Sequence, residues 1–321
     1  TMCGRGVAHV QRRLAGAKSC LTRLAILPLA ISAMVTANAP ASAQGFVSPD
    51  ILVIGDSQLS FGSGKQMLAF FERFATGCAA HVEDKKLRQR IERMKTQMLG
   101  VRSSSLQSWT SRKGAAWRAL CRKDKTWGVN TSVWGHNATP GVLYHQIGEG
   151  RRFNFCRAGR TPLQNMLRED YYTPELVFFY LLGNGAGRVA RNPKAAGEDV
   201  SRLVAQLPPT TKCIFMSTAP IHTPRRNRTR AAAQRNLAAA FEGTGQRCRF
   251  LPALTPEAIA AIQGKTKYFP RRKDGRLKDP FHPDKRATKK FLSIVKPKMC
   301  RMLADTLAMP RMAGSADAGS P

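Results

Sequence analysis

The stretch Ile51-Leu52-Val53-Ile54-Gly55-Asp56-Ser57 decides the fold. Its four apolar residues are consecutive, and three of them are β-branched. Uniform apolarity, rather than alternation, marks a strand covered on both faces, as in a parallel sheet. Gly55, Asp56 and Ser57 then favour a turn. Beyond Gly62 and Gly64, Lys65 to Phe74 (KQMLAFFERF) has helical apolar spacing. The sequence therefore predicts a buried strand, a turn and a helix, the opening unit of an α/β sheet.

Working outward, the same signature recurs. Residues 83–99 form a charged stretch that reads as at least partly helical. The Gly/Ser-rich loop from Gly100 to Leu106 follows a short strand. Residues 109–155 hold all four tryptophans and give no clear pattern; their aromatic rings suit core packing or a sugar-binding cleft. Residues 176–182 (LVFFYLL) are the strongest buried-strand signal, ending at Gly183-Asn184-Gly185. A helix over 198–207, a strand over 213–219, a helix over 231–241, a short strand near 249–254 and a final helix over 284–307 complete the series. Strands alternating with helices predict a three-layer α/β/α fold with a parallel, flavodoxin-like sheet. One domain, 44–308, is expected, with an insertion near 75–155 and a disordered tail over 309–321.

The N-terminal 43 residues read as a signal peptide. Arg12, Arg13, Lys18 and Arg23 precede the apolar stretch 24–37, and Ala41-Ser42-Ala43 offers a cleavage site before Gln44. That stretch is shorter than the roughly 20 residues of a membrane span. A periplasmic or secreted protein is expected, with no integral span after cleavage. Six of the eight cysteines lie beyond the signal: Cys78, Cys121, Cys156, Cys213, Cys248 and Cys300. An even number in an exported chain points to disulfides, with 15 pairings open. Cys213 and Cys248 each precede a short apolar run and are one candidate pair.

Charge bounds the partners. With 52 Lys+Arg against 20 Asp+Glu, the chain carries +32. Such a charge attracts polyanions and says nothing about fold. No nucleic-acid recognition motif accompanies it, and nucleic acid is not expected as a partner.

Chemistry needs more than a turn. A serine becomes a nucleophile when a histidine takes its proton and a carboxylate orients that histidine. The oxyanion then needs fixed donors. Ser57 follows a buried strand and precedes a helix. Asp279-Pro280-Phe281-His282-Pro283 lies before the last helix, and residues three apart can meet across one turn. Gly100 and Asn184 both follow candidate strands, as does His222.

These motifs resemble those of the GDSL/SGNH hydrolases. Ile54-Gly55-Asp56-Ser57 is similar to the family's first block, which carries the nucleophile. Asp279-x-x-His282-Pro283 is similar to its last, which carries the acid and the base. The resemblance runs from about 50 to 305 and implies the same three-layer fold. It also implies Ser57, Asp279 and His282 as catalytic residues, and Gly100 and Asn184 with the Ser57 N–H as the oxyanion hole. Arg102, Ser103 and His222 are candidate substrate contacts. Two departures stand out. Gln58 occupies a position that is usually leucine. Leu182-Gly183-Asn184-Gly185 aligns with the usual Gly-x-Asn-Asp only after a one-residue slip.

The resemblance implies a serine esterase that needs no metal or organic cofactor. It would act as a monomer on an ester substrate such as an acetylated or acidic glycan. A lipase or lysophospholipase, a sugar O-acyltransferase, and a non-catalytic polyanion-binding protein are the alternatives.

Overall fold

The computed structural model describes residues 48–310, except 126–130, 137–142, 148–155, 157–158, 169–171 and 246. The expected signal peptide, its cleavage site and most of the C-terminal tail lie outside these residues, as does Trp127.

Seven strands form one sheet: β1 (Ile51–Gly55), β2 (Thr96–Val101), β3 (Thr131–His136), β4 (Leu143–Ile147), β5 (Leu176–Tyr180), β6 (Lys212–Met216) and β7 (Cys248–Leu251). Their order is β4-β3-β2-β1-β5-β6-β7. The five strands β2, β1, β5, β6 and β7 are parallel. Counted alone, they run 2-1-3-4-5, the flavodoxin-like order. β3 and β4 extend the sheet antiparallel beyond β2, within the stretch that gives no clear pattern in sequence.

Burial explains the strand composition. Every residue of β1, β2, β5 and β6 is buried, so alternate side chains enter opposite layers. Phe178 meets Phe71 of the helix α1 (Gly64–Glu72). Its neighbour Phe179 stacks on Phe215, which packs on Phe241 at the other face.

Helices fill both layers: α2 (Phe74–Gly77), α3 (Lys85–Arg93), α4 (Leu106–Thr110), α5 (Ala115–Lys125), α6 (Pro162–Met166), α7 (Ala186–Arg191), α8 (Pro193–Gln206), α9 (Pro224–Glu242), α10 (Pro256–Ile262) and α11 (Lys285–Ala308). The charged stretch 83–99 divides: α3 ends at Arg93 and β2 begins at Thr96. α8 and α9 both start earlier than their apolar periodicity suggests. Pro193 and Pro224 occupy the first helical turn, where a missing N–H costs nothing. Trp109 is fully buried and belongs to the core rather than to a sugar cleft.

All six cysteines after residue 43 pair: Cys78–Cys300, Cys121–Cys156 and Cys213–Cys248. The last joins register neighbours on β6 and β7. Three disulfides fit an oxidising compartment. Among the described residues no helix is long and apolar enough to cross a membrane. Cys78–Cys300 spans 222 residues, the longest separation of the three. Replacing both cysteines by alanine should lower unfolding free energy by about 2–5 kcal/mol, because a long cross-link removes much unfolded-state entropy. Urea denaturation of the variant and the parent would measure the difference.

Candidate active site

The strand register places the site. Gly55, Gly100 and Tyr180 are partners across β2, β1 and β5, and Met216 aligns with Tyr180 on β6. The turns after these strands therefore open at one edge. The chain leaves β1 for β2 on one side and returns to β5 on the other. Such a switch point leaves a crevice at the carboxyl ends of the strands.

Asp56 sits in that crevice, fully buried. Its Oδ1 accepts the Gln58 N–H at 2.9 Å, and its Oδ2 accepts the Gly183 N–H at 2.8 Å. One carboxylate thus fixes the Ser57 turn and ties it to the turn after β5. A Cβ on Gly183 would lie 2.4 Å from Asp56 Oδ2, so glycine is required there. Burial pushes the Asp56 carboxyl up; the two N–H donors and nearby Arg230 oppose that rise. Among the described residues, only two non-glycines have positive φ: Ser103 (62°) and Leu182 (148°). Both lie in turns at this edge. Strain of this kind persists where surrounding contacts enforce it.

The Asp279–His282 turn is fixed more tightly still. Asp279 Oδ1 accepts the N–H groups of Phe281 (2.8 Å) and His282 (3.2 Å). Its Oδ2 lies 2.6 Å from His282 Nδ1. A carboxylate only accepts, so Nδ1 carries the proton and Nε2 is left unprotonated. Burial raises the Asp279 carboxyl, but the bonds from the His282 ring and the two N–H groups outweigh it and hold it below the usual range. Around this turn, His222 N–H donates to Pro280 O at 2.9 Å and Asp284 N–H to Tyr268 O at 2.8 Å. Asp284 caps α11 through the N–H groups of Arg286 and Ala287.

Gln58 joins the two halves. It is 2% exposed, and its Nε2 donates to Ala219 O (3.1 Å) and to Phe281 O (3.2 Å). The departure from leucine thus anchors the residue preceding His282. We expect Gln58→Leu to cost about 1 kcal/mol, since Phe281 O loses its donor in a part-buried setting while Ala219 O keeps the Arg230 guanidinium. Were His282 the base of a reaction, kcat would fall more than KM changes, because the imidazole is displaced while the cavity remains. Denaturant midpoints and steady-state kinetics on the same variant would check both.

Ser57, Asn184 and His282 line one cavity of about 490 Å³, together with Gln58, Arg226 and Arg230. Neither Ser57 Oγ nor His282 Nε2 has a hydrogen-bond partner among the described residues. Asn184 Nδ2 donates to Ser104 O at 3.1 Å, which orients the amide and leaves its second N–H unused.

The other sequence-selected residues fall elsewhere. Gly100 lies inside β2, flanked by Gly55 and Ser132, and does not line the cavity. A Cβ there would meet Ser60 N and Oγ at 2.7 Å, so glycine is required at position 100 for close packing against the β1 turn. Arg102 stacks over Phe61, 4.6 Å from its ring centroid, and Phe61 packs edge-on against His282 at 5.1 Å. Ser103 forms the turn after β2. The His222 ring packs on Phe269 and is not among the residues lining this cavity, while its N–H supports the Asp279–His282 turn.

Sequence reading misses the cavity's far wall. Arg226, Thr229 and Arg230 occupy one face of α9. Their segment, RRNRTR, has no apolar periodicity; Pro224 at the first turn is its helix signal. Arg230 is buried, donating to Ala219 O (2.9 Å), Thr218 O (3.1 Å) and Thr218 Oγ1. Burial lowers its guanidinium to about 10, against the pull of Asp56. Among the described residues no group of His, Cys, Asp and Glu could hold a metal ion.

No protein-family model and no curated protein matches the chain. Three solved structures share its architecture distantly. A protein provisionally named a platelet activating factor, from Streptococcus pneumonia, is 14% identical, with a TM-score of 0.38, over 79% of this chain and 86% of that one. A DUF4886 family protein from Bacteroides uniformis ATCC 8492 is 9% identical, with a TM-score of 0.40, over 85% and 90%. A family two carbohydrate esterase from Clostridium thermocellum, in complex with cellohexaose, is 12% identical, with a TM-score of 0.38, over 81% and 66%. With likenesses this distant, the roles of individual residues come from this chain's own geometry.

Proposed function

We propose that this protein is an exported serine esterase of the GDSL/SGNH type, with Ser57 as nucleophile, His282 as base and Asp279 as the orienting acid. One observation carries the reading: a histidine held through Nδ1 by a carboxylate, its Nε2 unpaired, shares a cavity with an unpaired serine hydroxyl at a strand-to-helix turn. His282 Nε2 takes the Ser57 proton as Oγ bonds to the ester carbonyl carbon. The oxyanion meets the Ser57 N–H and the Asn184 amide, with the Gly100 N–H as the third donor that the family resemblance implies. His282 gives the proton to the departing alcohol as the C–O bond breaks. Water, deprotonated by the same imidazole, then releases the acid and restores Ser57.

The mature domain, from about residue 44 to 308, is the unit that acts. Turnover of p-nitrophenyl acetate by the purified chain tests the proposal, with Ser57→Ala as its control. Absence of turnover on short and long esters alike would overturn it in favour of a binding protein.

A further inference from the structure

The cavity wall is cationic and carries no acid. Its thirteen lining residues include Arg226 and Arg230 and neither Asp nor Glu. No ion pair among the described residues takes Arg225, Arg226, Arg228 or Arg230, although the four lie within six consecutive positions. Arg230 is buried, with its hydrogen bonds going to neutral oxygens and the buried Asp56 carboxyl nearby. Arg226 is exposed, with its guanidinium 4.7 Å from the Phe281 ring centroid.

A second observation concerns the mouth. Among the described residues the exposed large hydrophobics are Phe61 (49%) and Phe281 (37%). Both adjoin His282: Phe61 through its ring, Phe281 through the chain. Each lies under a guanidinium, Arg102 on Phe61 and Arg226 on Phe281. An exposed aromatic ring offers an apolar face for the CH face of a sugar. A planar guanidinium beside it suits a carboxylate. Exposed apolar residues that are otherwise unexplained, and gathered at one site, mark a binding surface.

Resting on the esterase reading above, we infer that the substrate is an ester carried by an acidic glycan. A sugar carboxylate pairs with Arg226 on the α9 wall while the ring lies on Phe281, presenting the ester to Ser57. Lipid fits less well. Docking on a bilayer uses a broad apolar face, and two separated phenylalanines capped by arginines do not make one.

The experiment compares O-acetylated polygalacturonate with O-acetylated xylan at equal acetyl concentration, and measures Kd for unesterified trigalacturonate. The intact chain should favour the anionic polymer in kcat/KM by at least about tenfold, and Arg226→Glu should cut that ratio by about tenfold. Arg301→Glu is the control for bulk charge. It makes the same charge change roughly 24 Å along α11 from that helix's site-facing end, and should leave the ratio within about twofold.

Equal rates on the two polymers, or equal losses in Arg226→Glu and Arg301→Glu, would overturn the inference. So would preferential cleavage of esters in anionic phospholipid vesicles. The two readings fail separately. Turnover of p-nitrophenyl acetate without polymer preference sinks the acidic-glycan assignment alone. Trigalacturonate bound through Arg226 by a chain that cleaves no ester sinks the esterase and keeps the anionic site.

Discussion

Ser57→Ala is expected to reduce kcat on p-nitrophenyl acetate by at least about 10⁴-fold while leaving the fold intact. The size follows from what Oγ does in the proposed reaction: it forms the covalent bond, and no neighbouring hydroxyl is placed to substitute. Ser60 Oγ, the nearest alternative in sequence, is buried and bonded to Asp56 O. The intact fold follows from the resting geometry. Ser57 Oγ has no hydrogen bond among the described residues, so its removal orphans no buried partner. Stability should change by less than about 0.5 kcal/mol. Urea midpoints and single-turnover kinetics separate the two effects. Retained turnover in a folded Ser57→Ala protein would remove Ser57 from the reaction and with it the proposed mechanism.

How much of this site is legible in sequence depends on how locally each part is encoded. β1 and its turn are local: four consecutive apolar residues leave neither face of the strand polar, so both must be covered, and Gly-Asp-Ser favours a turn. The Asp279–His282 pair is local too, since one Asx turn brings both groups together. Asp56 reads as a motif letter, yet its work is tertiary: it bridges Gln58 and Gly183, the latter 127 positions from Asp56 in the chain. Gln58 reads as a mere departure because Ala219 and Phe281, its partners, are 161 and 223 residues away. Gly100 is only half legible, because a glycine after an apolar run signals close approach without naming the neighbour. Here the neighbour is the Ser60 backbone, and the strand continues through Gly100 to Val101. The α9 wall is invisible for a different reason. Arginines at i and i+4, Arg226 and Arg230, look like a solvated face until a cavity is known to lie beside them.

Asp279→Asn is expected to lower kcat by about 10³–10⁴-fold with little change in KM. The backbone decides which way the amide sits. Oδ1 accepts two N–H groups, from Phe281 and His282. The asparagine oxygen must take that position, because an NH₂ there would face two donors. The NH₂ is then forced into the place of Oδ2, against His282 Nδ1. It donates, so Nδ1 becomes the acceptor and the ring proton moves to Nε2. An imidazole protonated at Nε2 cannot take the Ser57 proton. The cavity is unchanged, which keeps KM near its parent value. The pH dependence separates this cause from simple loss of charge. In the parent, the depressed Asp279 carboxyl keeps its ionised contribution above the ordinary carboxylate range. That contribution is lost only as pH falls through the lower folded value. Protonation of Asp279 therefore does not set the acid limb of activity at ordinary pH. Raising the pH should not restore the Asp279→Asn variant, because the wrong tautomer is neutral already. Nitrogen chemical shifts of His282 should show the proton on Nδ1 in the parent and on Nε2 in the variant. A variant with full kcat, or with the parent tautomer, would show that Asp279 only stabilises its loop.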